Sequence, residues 1–206
     1  ILNRPTEIVA LFIPLLWGYG RNTEPGWKIA LKNPRDLLIA TGLVFLIGFT
    51  QLIYWKHTAG SWIHFSYENP AEGLDWLQPH TIDFLFSFRK GWFVYTPIAL
   101  FIVAGFILMK KQISQAWLPS ILVFILGIYV MSTWTTWHYA GGSYSSRTMI
   151  NIYPVLFLPL ALALKTAWES RVKWILSTVV MALVALNLFQ FWQWRERIID
   201  KTRMTA

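Results

Sequence analysis

Long uncharged apolar runs, separated by short polar segments, constrain this chain more than any other feature of its sequence. A helix rising about 1.5 Å per residue needs roughly 20 apolar residues to cross ~30 Å of hydrocarbon. Several runs approach or reach that length, and a water-soluble core would not need so many. Composition agrees: 55% of residues are hydrophobic, 14% are charged and mean hydropathy is +0.44, far from a soluble average. The expected fold is all-α, a single polytopic transmembrane helix bundle of five to six spans.

The spans are expected at about 7–19, 37–55, 92–109, 117–137, 149–164 and 174–192. Trp and Tyr mark most of their ends, as interfacial anchors do. The first run is short and carries Pro14, so it reads as a truncated span or as one half of a broken helix. Pro119 is expected in a first helical turn, where its missing N–H costs nothing. Pro154 and Pro159 fall inside the fifth run and predict a bent helix. Residues 21–36 form a polar segment with Pro25, Gly26 and Pro34 as breakers. The long loop 58–91 contains an apolar stretch, Thr81 to Phe88, too short to span. It predicts a short interfacial or re-entrant helix with Pro79 near its start.

The net charge of +8 comes from Lys and Arg in small groups between apolar runs, never one long basic face. Such groups are loop and headgroup charges, and no nucleic-acid partner is expected. The absence of cysteine excludes disulfides and thiolate metal sites. The segment 21–36, Lys110-Lys111, and the group Lys165, Arg171 and Lys173 fall on one face, assigned to the cytoplasm. The outer face receives 58–91, 138–148 and the tail after Trp194. Arg195, Arg197, Lys201 and Arg203 in that tail run against the rule. The chain starts without Met or a leader and ends abruptly, which suggests a fragment of a larger protein.

All four histidines (His57, His64, His80, His138) fall on the assigned outer face, with Glu68, Glu72, Asp75 and Asp83. Ionisable groups at membrane depth are costly and usually functional, so this face is expected to do the work. Arg89 and Lys90 precede the third run. Before the fifth, Tyr139-Ala140-Gly141-Gly142-Ser143-Tyr144-Ser145-Ser146-Arg147 offers a tight backbone, hydroxyls and an arginine. Both read as outward-facing helix N-termini, which favour anions. Arg89, Lys90 and Arg147 would hold a phosphate, Arg147 bidentately. Ser143 and Tyr144 would give hydrogen-bonding support, and His80, His138 and Tyr95 would line the same outer cavity. The competing identity is a set of cations snorkelling to lipid headgroups. The histidines and carboxylates lack the spacing of a compact metal motif, so no metal is assigned. Glu68, Glu72 and Asp75 read as solvated loop groups before acid-base residues. Trp134, Trp137, Trp192 and Trp194 can stack on sugars but read first as interfacial anchors.

Four patches carry a resemblance. Phe86-Ser87-Phe88-Arg89-Lys90-Gly91-Trp92-Phe93-Val94-Tyr95-Thr96-Pro97 resembles the "LFSxRKGLFxYTP" stretch of bacterial polytopic glycosyltransferases of the GT-C class. These are relatives of the protein mannosyltransferases and of the aminoarabinose transferase that modifies lipid A. Trp137 to Pro154 is similar to their "W.YGGSxGxR...xYP" segment, and Asn187 to Thr205 to their "NLFQxxQYxxGIIxxxxMT" ending. Arg4-Pro5-Thr6 matches an "RPT" element midway through them. Two departures bear on substrate identity: Ala140 intrudes in the usual Tyr-Gly-Gly, and Ser146 stands where a Gln often precedes the Arg.

The resemblance implies inverting transfer of a sugar from a polyprenyl-phosphate carrier to a glycan, lipid or protein acceptor. It places this at the outer face of the bacterial cytoplasmic membrane, with the polyprenyl-phosphate sugar as donor substrate. It also implies a catalytic carboxylate in a first outer loop upstream of this chain, so that the chain alone would be inactive. Two other classes compete. A transporter or flippase for a lipid-linked or anionic solute predicts paired broken helices and internal repeats. A non-catalytic membrane scaffold would not need outward-facing cations.

Overall fold

In a computed structural model, residues 5–19, 24–64, 72–138 and 142–199 are described. They form an all-α structure without a named strand, and four helices are long and apolar enough to cross a membrane. The first α-helices are α1 (Phe12–Leu16), α2 (Gly26–Lys32) and α3 (Pro34–Ala59). The long loop contributes α4 (Thr81–Phe86), followed by α5 (Trp92–Tyr95) and α6 (Leu100–Gln112). The remainder is α7 (Ser114–Ser132), α8 (Tyr153–Glu169) and α9 (Lys173–Arg195). The four candidate spans are α3, α7, α8 with its preceding 3₁₀ turn (Arg147–Glu169), and α9.

α3 begins with Pro34 in its first turn and stops at Gly60, whose φ of +74° is the left-handed cap that glycine allows. It has no buried residue, and neither has α9. The core centres on α6, α7 and α8, with Phe84 of α4 and Trp92 of α5 fully buried beside them. α6 and α8 approach so closely at Gly105 that a Cβ there would lie 2.9 Å from Pro159 Cα and overlap the Pro159 carbonyl. Beside this crossing Phe106 stacks on Phe124 of α7 at 5.2 Å. The expected interfacial helix is present as α4, with Pro79 two residues before it.

Three expectations are corrected, each at a proline, and the first run is resolved as too short to cross. The run 92–109 is not one span. Pro97 cannot donate to the carbonyl four residues back, and the helix breaks at Thr96 into α5, a 3₁₀ turn (Pro97–Ala99) and α6. The 13 residues of α6 cover only about 20 Å. The first run is a 3₁₀ segment (Pro5–Leu11) leading into α1, packed on α7 and too short to cross. Pro119 lies inside α7, because that helix starts at Ser114 rather than near 117. The carbonyl of Gln115, four residues back, accepts the Gly18 N–H at 3.1 Å, so the N-terminal segment docks where Pro119 frees a partner. Pro154 opens α8 instead of interrupting it; only Pro159 is interior.

The backbone also shows which loops share an end of the bundle. Asp75 N–H donates to Thr133 O at 2.7 Å and His80 N–H to Ser132 O at 2.8 Å, while Leu74 and Trp134 form an isolated bridge. The loop 72–91, residues 133–138 and 142–146, and the C-terminal part of α9 meet. Lys110 and Lys111 lie at the other end of α6.

Candidate functional site

The site is built from the turn between α4 and α5. Ser87 N–H bonds back to Asp83 O at 3.0 Å, its hydroxyl accepts Arg89 N–H at 2.9 Å, and its carbonyl accepts Gly91 N–H at 2.7 Å. The fold is so tight that a Cβ on Gly91 would sit 2.5 Å from Ser87 O and 2.6 Å from Ser87 N. Only glycine fits, and the turn carries Lys90 inward. Lys90 is 3% exposed, and its Nζ lies 3.5 Å from Ser143 Oγ. The Ser146 hydroxyl clamps the two loops together, shared between Lys90 O at 2.8 Å and Phe84 O at 3.1 Å.

Tyr144 occupies the other side. Its O–H is shared between Tyr95 O at 3.1 Å and Asn187 O at 3.2 Å, and its ring meets Tyr95, Phe191 and Trp194 edge-on. Burial, with Tyr95 and Tyr153 nearby, pushes the Tyr144 phenol far up, so it stays a donor. His138 joins through the field. Burial first, then the charges of Arg89, Lys90 and His80, hold its imidazole below the ordinary histidine range. The structure thus brings Lys90 to Ser143 and Tyr95 to Tyr144, with Arg89, His80 and His138 in electrostatic reach. The Arg147 side chain is exposed, one residue from the Ser146 clamp.

Comparison with known protein families, curated proteins and solved structures finds no match.

One part of the anion expectation is corrected. α5 has four residues, so Arg89 and Lys90 do not precede a long helix dipole, whereas Arg147 opens the 3₁₀ turn that runs directly into α8. Side-chain charge and hydroxyls remain. Asp75 is a turn former, its carboxylate accepting Leu77 N–H at 3.2 Å and Gln78 N–H at 3.1 Å. Among the described residues no group of three His, Asp or Glu converges as a metal site. Glu68, Tyr139, Ala140, Gly141, Lys201 and Arg203 lie outside the described residues, as does Arg4.

Two residues escaped sequence reasoning. The break at Thr96 frees carbonyls that need donors at depth. Gln190 Nε2 donates to Val94 O at 3.2 Å, and Asn187 Nδ2 donates to Tyr95 O. The available signal was their spacing, Asn187 and Gln190 one helical turn apart in a largely apolar helix.

Proposed function

We propose that the chain is part of a membrane glycosyltransferase that transfers a sugar from a polyprenyl-phosphate donor to an acceptor at the outer face of a bacterial cytoplasmic membrane. The observation that carries this reading is Lys90, a lysine buried beside Ser143 between two loops at one end of the bundle. Burying an ammonium is costly, and a phosphate delivered by a lipid carrier gives the charge a use. Lys90 and Arg89 would hold the donor phosphate. Arg147 would reach it from the rim, and Ser143 would donate to an oxygen. Charge on the departing lipid phosphate grows during transfer, so fixed cations there lower the barrier. The four-patch resemblance supports the same class and assigns the catalytic carboxylate to sequence upstream.

In an assay of the whole enzyme, Arg147→Ala is expected to slow transfer from a polyprenyl-phosphate sugar by about tenfold or more. In the purified chain, Lys90→Met is expected to weaken binding of a polyprenyl phosphate by a similar factor. Wild-type turnover and wild-type binding in these variants would overturn the assignment.

The helix break at Thr96 favours a second reading, a transporter or flippase, since discontinuous helices bind cargo in such proteins. The freed carbonyls of Val94 and Tyr95 are engaged by Gln190, Asn187 and Tyr144, which leaves that reading less support. Flux of a lipid-linked sugar across vesicles without transfer would favour it.

A further inference from the structure

We infer that the groove between α6 and α7, at the end of the bundle away from Lys90, binds an anionic phospholipid, its acyl chain between the helices and its phosphate on Lys110 and Lys111. The groove has a volume of about 370 Å³ and is lined by these two helices alone. Its walls include Ile107 and Ile125, 67% and 55% exposed, and its floor is the stacked pair Phe106 and Phe124. Val103, Ile107 and Lys110 follow one face of α6 at helical spacing. From Val103 to Lys110 the trough runs about 10 Å, the headgroup-proximal part of a leaflet ~15 Å deep.

Charge decides the occupant. Both lysines line one end of the apolar trough, and Lys110 Nζ sits 5.1 Å from the Trp117 ring centroid. That contact holds the ammonium at the mouth, where an aromatic ring and cations mark the headgroup level. Among the described residues no carboxylate forms an ion pair with either lysine. A lipid with net negative charge satisfies both ends of the groove, whereas a zwitterionic one brings its own cation to the lysines.

The test is native mass spectrometry of the purified chain in detergent with equal phosphatidylglycerol and phosphatidylcholine. Wild type is expected to retain the anionic lipid about tenfold over the zwitterionic one. The double variant Lys110→Gln, Lys111→Gln should lose that preference. Ile107→Trp, an exposed position filled by a larger ring, should lower retention of both lipids. Lys165→Gln with Lys173→Gln, which removes cations away from the groove, should leave the preference intact. The inference fails if wild type shows no preference, if the preference survives in the Lys110/Lys111 variant, or if the Lys165/Lys173 variant loses it equally. Unchanged retention in Ile107→Trp, or a stable dimer through this face in place of lipid, would also overturn it.

Discussion

At the scale of single residues, the site depends on backbone positions with little freedom. Ser145 has φ of +55°, a region that costs a residue with a Cβ about 1 kcal/mol. Ser145 compensates in part, its Oγ lying 3.4 Å from Thr96 Oγ1 and its carbonyl accepting Arg147 N–H at 3.0 Å. Ser145→Gly is therefore expected to stay within about 1 kcal/mol of wild type, while Ser145→Val loses about 1–2 kcal/mol. Thermal unfolding in detergent reads both, and equal behaviour of the two variants would remove strain as the explanation. Lys90 was legible as a cation before a span. Its burial was not, because that depends on Ser143 and Ser146, more than 50 positions away.

Elements show where apolar sequence stops being informative. Gly105 and Gly48 look alike in sequence, each a glycine in an apolar helix. In the structure Gly105 is pressed against the backbone of α8 at Pro159, whereas a Cβ on Gly48 meets nothing within 4 Å. Gly105→Ala is expected to cost about 1–3 kcal/mol by separating α6 from α8. Gly48→Ala should be neutral or gain up to about 1 kcal/mol of helix propensity. If both substitutions leave the unfolding midpoint unchanged, the close crossing does not exist in solution. The break between α5 and α6 belongs here as well. Hydropathy alone favours a continuous helix from 92 to 109. Pro97 defeats it, because three donors from other segments, Tyr144, Asn187 and Gln190, are in place to take the exposed carbonyls.

For the whole molecule, the loops carrying Arg89, Lys90, His138 and Ser143 share one end, and Lys110, Lys111 and the turn between α8 and α9 lie at the other. The cysteine-free sequence makes this directly testable. Leu77→Cys, at a side chain 92% exposed, and Gln112→Cys at the end of α6 should react with an impermeant maleimide from opposite sides of sealed vesicles. Labelling of both from one side would show that α7 does not cross. The all-α character and the runs behind α3, α7, α8 and α9 followed from the sequence alone. Hydrophobic length and charge are local quantities, readable in a window of about 20 residues. Which apolar runs stay whole, which prolines lie inside helices, and how Lys90 comes to be enclosed were decided only by tertiary structure. Each turns on whether a backbone or side-chain group finds its partner in a segment distant along the chain.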